Sequence, residues 1–242
     1  MKIIAHRGAS FFAPENTISA FRLGIEEGAD GIELDVRLTS DGRIIALHDV
    51  TTARTADKLF RAEETPFWLI ETCDAGSWKS SKYKNERIPS LDEVLEFMPE
   101  NRDIYIEIKC GTEIIPFLSE LLQSVPRHKD NVVIFGFGYD VAAEAKRVLP
   151  EYRVLWIGEF GFNIQLDDGM YDHAEKLVRQ ANLDGFSTRA DRIHVPVMRE
   201  RLKDLSLNVW TVDDPQDALF YQEAGVDSLT TNRPERIINV IF

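Results

Sequence analysis

Two histidines and three carboxylates stand at the ends of short apolar runs in the first 110 residues of this chain. They are His6 in Ile3-Ile4-Ala5-His6-Arg7-Gly8, Glu33 and Asp35 in Ile32-Glu33-Leu34-Asp35-Val36, His48 in Ile45-Ala46-Leu47-His48-Asp49, and Glu107 in Ile104-Tyr105-Ile106-Glu107-Ile108-Lys109. Imidazoles transfer protons near neutral pH. Three carboxylates offer the hard oxygen ligands of one divalent cation, Mg²⁺ or Ca²⁺, where Zn²⁺ more often recruits His or Cys. Arg7 and Lys109 supply positive charge for an anion. This set suits cleavage of a phosphodiester: a cation neutralises the diester, one histidine removes the proton of the nucleophile, and the other protonates the leaving alkoxide. The residue pattern does not say which histidine plays which part.

Each group has a plainer reading. A lone His6 fits a core histidine. Glu107 and Lys109 fit a simple ion pair, and Arg7 fits a neutraliser of the acids. Glu33 and Asp35 alternate with Ile32, Leu34 and Val36, so both acids share one strand face. If the apolar face packs under helices, the acids point inward, where unpaired charge is costly.

The elements that carry these residues follow from periodicity. Strand-length apolar runs cover 2–6, 31–36, 43–48, 103–109, 131–137, 153–158, 184–188, 207–212 and 227–231. Helical segments are expected at 17–27, 91–98, 113–125, 139–148 and 171–181, and two more start at Asp214-Pro215 and Arg233-Pro234. Asn16 is read as the cap of the first and Ser90 with Glu93 as a capping box. Strand–helix alternation predicts a parallel sheet. Runs 31–36 and 43–48 are joined by a link too short for a crossover helix, and it contains Asp41-Gly42, a hairpin turn. Setting 43–48 aside as an antiparallel partner leaves eight βα units, a (β/α)8 barrel. The hairpin should place His48 opposite Glu33 or Asp35, on their face.

Residues 50–89 lack clear periodicity and are read as a small cap insertion over the barrel mouth, within a single domain spanning 1–242. Trp78 in this stretch is either cap core or a wall for the leaving group. Phe137 and Trp210, each ending a strand run, are either core or substrate contacts. His128, His173 and His194 are read as surface residues.

Composition narrows the function. The net charge is -13, from 28 basic and 41 acidic residues, which argues against general nucleic-acid binding. The two cysteines, Cys73 and Cys110, have no zinc spacing and are expected to be free thiols. No membrane-length apolar run or signal peptide precedes the first strand run, so a cytoplasmic protein without stable membrane insertion is expected. Nothing in the sequence indicates an oligomer.

The ordered pieces His6-Arg7-Gly8, Pro14-Glu15-Asn16-Thr17, Glu33-Leu34-Asp35-Val36, Asp41-Gly42 and His48-Asp49 resemble the N-terminal signature of the glycerophosphodiester phosphodiesterase family. Asp74-Ala75-Gly76-Ser77-Trp78, Ile88-Pro89-Ser90-Leu91, Glu107-Ile108-Lys109 and Trp210-Thr211-Val212 extend the resemblance over nearly the whole chain. It implies a barrel with a small insertion after the hairpin. The implied reaction is metal-dependent hydrolysis of small-molecule glycerophosphodiesters to glycerol 3-phosphate and an alcohol, through a cyclic phosphate formed by the glycerol 2-hydroxyl. Carried over by position, His6 and His48 are the acid–base pair, Glu33, Asp35 and Glu107 the metal ligands, and Arg7 and Lys109 the phosphate contacts. Glu15, Asn16, Trp78, Phe137 and Trp210 fall in the surrounding shell or the substrate pocket. The chain departs from the pattern at Ala56–Phe60, at Gly136-Phe137, and at Asp213, where the family commonly carries Asn. Related phosphodiesterases of lysophospholipids or inositol phosphodiesters, and a non-catalytic phosphometabolite-binding barrel, are the rival readings. Retention of both histidines argues against the last.

Overall fold

The computed structural model describes residues 1–158 and 168–242. Alternating apolar residues give strands buried on both faces. Ile3, Ala5, Ile32, Leu34, Ile104 and Ile106 pack outward beneath helices, while Ile4, Tyr105, Val133, Phe135, Leu155 and Ile157 fill a separate inner cluster. Two apolar layers around one sheet are what a filled barrel needs.

In chain order the elements are β1 (Lys2–His6), α1 (Ile18–Glu26), β2 (Gly31–Leu38), β3 (Ile44–Ala46), α2 (Phe67–Ile70), α3 (Leu91–Phe97), β4 (Asp103–Ile108), α4 (Ile115–Ser124), β5 (Val132–Gly136), α5 (Tyr139–Val148), β6 (Arg153–Gly158), α6 (Asp168–Gln180), β7 (Gly185–Arg189), α7 (His194–Arg201), β8 (Ser206–Trp210), α8 (Pro215–Glu223), β9 (Ser228–Thr231) and α9 (Pro234–Ile241). The sheet runs β1-β9-β8-β7-β6-β5-β4-β2, all parallel, and the β1–β2 pairing closes it. This is a (β/α)8 barrel. β3 lies outside the ring, antiparallel to β2 through Val36↔Ala46, Arg37↔Ile45 and Leu38↔Ile44. Gly42 turns this hairpin at φ +79, a conformation glycine adopts without steric cost.

The hairpin is shorter than its apolar run suggests. β3 ends at Ala46, and the Leu47 amide donates to the Asp35 carbonyl at 3.0 Å. Leu47, not His48, therefore faces Asp35. The chain then leaves the sheet, with the His48 carbonyl accepting from Arg37 Nε at 3.0 Å.

Residues 50–89 form short helical turns around α2. Ala62, Ile70, Cys73, Ala75 and Ile88 pack on Ile45 and Leu47 as a small apolar cluster of their own. Both cysteines are free.

Three helical expectations are corrected. Asn16 is not the cap of α1; the Thr17 side chain is, accepting from the Ala20 amide. α6 begins at Asp168, ahead of the expected 171. α7 fills a βα unit for which no helical segment was named, because Pro196 and mixed charged and apolar residues hide its period. His128 and His194 are buried rather than at the surface: His128 Nε2 bonds the Leu95 carbonyl at 2.7 Å, and His194 opens α7 with its amide on Asp191. Among the described residues no helix is long and apolar enough to cross a membrane.

Candidate active site

Strand register assembles the site. β1 pairs β2 with His6 beside Glu33, and β2 pairs β4 with Asp35 beside Glu107. Glu33 and Asp35 sit two apart on one strand, so all four groups share the inner face near the rim where β1 and β4 end. That rim is where barrels of this kind place their chemistry. The hairpin returns the chain from the neighbouring edge and brings His48 to the same cavity, of about 290 Å³, lined also by His6, Arg7, Glu33, Glu107 and Lys109.

A ligand oxygen from each of Glu33, Asp35 and Glu107 lies within 4.8 Å of the others. Arg7 Nε stands 3.0 Å from Asp35 Oδ2, and Lys109 Nζ stands 3.3 Å from Asp35 Oδ1 and pairs with Glu107. The Arg7 amide donates to Glu33 Oε2 at 3.0 Å from a backbone at φ +56. Local strain of this kind is held in place by surrounding packing. Gly8 supplies that packing: at φ +80, an added Cβ would lie 2.4 Å from the Ala20 backbone of α1. Asn16, itself left-handed at φ +58, donates to Asp35 Oδ2 at 2.8 Å and accepts from the Asp35 amide.

Crowding divides the carboxylates. Burial and the neighbouring Asp35 and Glu107 push Glu33 well above the usual carboxylate range. Burial, then Asp35, raises Glu107 to about 7 against the pull of Lys109. Burial would raise Asp35 as well, but Arg7 and Lys109 outweigh it and hold it at about 2. Glu33 Oε1 is buried and accepts no hydrogen bond among the described residues, and Asp35 Oδ1, also buried, has only the Lys109 ammonium at 3.3 Å. Buried oxygens left without donors are rare. Clustered hard oxygens with open lone pairs fit a cation of the Mg²⁺ or Ca²⁺ kind.

The histidines are held differently. His6 Nδ1 lies 2.8 Å from Asn232 Oδ1, and its Nε2 stands 4.0 Å from Glu33 Oε2. Burial and then Arg7 lower the His6 pKa to about 4. His48 Nδ1 lies 2.6 Å from Asp49 Oδ1. Burial lowers the His48 pKa while Asp35 and Asp49 pull it back up.

Of the surrounding residues, Glu15 bridges Arg7 and Arg54, and Arg54 also grips Asp49. Phe137 and Trp210 line the cavity with Phe135 and Ile157. Trp78 does not line it; its Nε1 donates to the Ala75 carbonyl. None of residues 50–89 lines this cavity, although the insertion touches the β1–α1 loop through Arg54 and Lys79. Asp49, Arg54, Asp213 and Asn232 have direct or one-step contact with the key side chains, and sequence reasoning assigned none of them. Asp49 and Asn232 each immediately follow a site histidine or a strand end, which was the available clue.

The sequence profile of the Glycerophosphoryl diester phosphodiesterase family matches residues 6–236. The chain belongs to this family. A glycerophosphodiester phosphodiesterase of Caldanaerobacter subterraneus is 33% identical over 246 residues, covering 99% of this chain and 97% of its own. Among solved structures, an Oleispira antarctica phosphodiesterase in complex with the product sn-glycerol-3-phosphate superposes with a TM-score of 0.87 at 26% identity, covering 100% of this chain and 96% of its own. The Agrobacterium tumefaciens glycerophosphodiester phosphodiesterase gives 0.83 at 26% identity, covering 99% and 100%. The enzyme class is thus that of the glycerophosphodiester phosphodiesterases. In this family member the two histidines, Glu33, Glu107 and the two basic side chains line one cavity, and Asp35 lies buried beside them in the carboxylate cluster.

Proposed function

We propose that the chain hydrolyses glycerophosphodiesters to glycerol 3-phosphate and an alcohol, using His6 and His48 for proton transfer and one divalent cation held by Glu33, Asp35 and Glu107. The observation that carries this reading is the opening of both imidazoles into the cavity that Glu33, Glu107, Arg7 and Lys109 also line.

A bound cation would neutralise the diester and ease attack at phosphorus. Arg7 and Lys109 present N–H donors to the non-bridging oxygens, where charge grows as the new P–O bond forms. One histidine takes the proton of the glycerol 2-hydroxyl as that oxygen attacks phosphorus. The other gives a proton to the alcohol oxygen as its P–O bond breaks. A five-membered cyclic phosphate results, and water opens it with the two histidines in exchanged roles. The burial of His6 and its proximity to Arg7 favour a neutral ring, ready to accept a proton. Phe135, Phe137, Ile157 and Trp210 form an apolar wall that limits water around the reacting groups.

The test is release of glycerol 3-phosphate from glycerophosphocholine, glycerophosphoethanolamine and glycerophosphoglycerol, with Mg²⁺, with Ca²⁺ and with EDTA. Release that EDTA abolishes and one of the cations restores is the expected result. No release from any diester with either cation, by protein shown to be folded, overturns the reading.

A further inference from the structure

His6 is held through a second residue by a third. Asn232, just past β9, places Oδ1 2.8 Å from His6 Nδ1 and 2.7 Å from Ser10 Oγ. Its other end faces Asp213, just past β8. Asn232 Nδ2 stands 2.6 Å from Asp213 Oδ2, and the Asn232 amide donates to Asp213 Oδ1 at 2.8 Å. Thr231 Oγ1 adds a third donor to that carboxylate at 2.9 Å.

The donor and acceptor inventory leaves one arrangement. An ionised carboxylate only accepts, so the Asn232 atom against Asp213 must be the amino group. The Asn232 oxygen is thereby turned toward Ser10 and His6. An amide oxygen also only accepts, so His6 Nδ1 must carry the hydrogen. The lone pair of the neutral ring is then at Nε2, the nitrogen nearer Glu33 and the carboxylate cluster.

We infer that Asp213 is a positioning residue that fixes the tautomer of His6 by setting the orientation of the Asn232 amide. This rests on the proposed role of His6 in proton transfer. Nδ1 keeps its hydrogen on Asn232 whether the ring is neutral or charged, and Nε2 alone exchanges the catalytic proton. With Asn232 as the facing residue, as in this chain, an amide at position 213 would remove the constraint, since it can donate as well as accept. Asn232 could then reverse, present its amino group to Nδ1, and put the hydrogen on Nε2, where it blocks proton uptake.

The experiment reads the imidazole ¹⁵N shifts of histidine-labelled protein at neutral pH, without substrate or cation, with His6 identified by its absence from the His6→Gln spectrum. Wild type is expected to show Nδ1 protonated and Nε2 bare. Asp213→Asn should move both nitrogens toward the opposite tautomer and lower kcat about tenfold, as when a tenth of the molecules remain competent, with KM little changed. The double variant Asp213→Asn/Asn232→Asp exchanges carboxylate and amide, again turns an acceptor to His6, and should restore both shifts and rate. A wild-type ring protonated at Nε2, or Asp213→Asn shifts identical to wild type, overturns the inference. If Asp213→Asn does not fold, the double variant decides: the wild-type tautomer supports the inference and the opposite one overturns it. Because the shifts are read without turnover, they are independent of whether the chain cleaves diesters.

Discussion

The Asp49 carboxylate lies 2.6 Å from His48 Nδ1, whereas the corresponding nitrogen of His6 meets the neutral Asn232 amide. Arg54 grips the outer side of Asp49 and, through Glu15, is linked to Arg7. One histidine is thus tied to a charged network and the other to a neutral oxygen.

Asp49→Asn tests the charged side. Asp49 favours the protonated form of His48, so its removal lowers the His48 pKa, and the limb of the pH–rate profile governed by His48 moves to lower pH. We expect kcat to fall by on the order of tenfold. Asp49 itself is held at about 2, first by Arg54 and then by His48. Its depressed pKa contributes folding stability above the unfolded value of about 4, and that contribution is lost as pH falls through about 2. Denaturation midpoints of wild type and Asp49→Asn should therefore converge in strong acid.

Cation binding should stabilise the fold. Three crowded carboxylates repel one another, and a ligand that binds only the native state adds about 2.7 kcal/mol at a hundredfold excess over Kd. For a chain of this size that raises Tm by about 5–10 °C. Calorimetry with Mg²⁺ or Ca²⁺ reads the shift, and Asp35→Asn should abolish it.

Asn16 holds both the side chain and the amide of Asp35. Removing such support weakens metal affinity by about 10–100-fold. Titration calorimetry on Asn16→Gly should show that loss. Glycine accepts the φ of +58 at this position, so the backbone adds no strain to the loss of the two hydrogen bonds.

Gly8→Ala should be more damaging than its size suggests. The new methyl would meet the Ala20 backbone at 2.4 Å at a left-handed φ. Overpacking and backbone strain together cost about 2–4 kcal/mol. Urea denaturation checks this, and the displaced Arg7 should lower kcat/KM as well.

The barrel was legible in the sequence because its strands are buried on both faces and read as apolar runs, and because Asp41-Gly42 marked the hairpin. The ionisable residues of β1, β2 and β4 were legible for the same reason: alternation fixes the face. What escaped depends on contacts between distant segments. Nothing near Asn232 shows that it meets His6, 226 residues away. Asn16 resembled a helix cap because Asn is a good one, yet Thr17 has the side chain that reaches the Ala20 amide, and Asn16 is drawn into the left-handed region by Asp35. His48 could be placed near the acids but not in register, since an interaction of Arg37 with its carbonyl ends the hairpin early. Residues 50–89 were expected over the mouth. Their apolar side chains pack on Ile45 and Leu47 and their polar ones reach the β1–α1 loop, while the cavity wall is formed by Phe135, Phe137, Ile157 and Trp210.

The central claim is that His6 and His48 both move protons at one metal-supported phosphodiester site. Its most direct test is kcat/KM for glycerophosphocholine, with saturating cation, for His6→Ala and His48→Ala beside wild type. Each substitution should lower the rate by about 10²–10⁴ while Tm and cation affinity stay close to wild type. A near-wild-type rate in either variant would contradict the account.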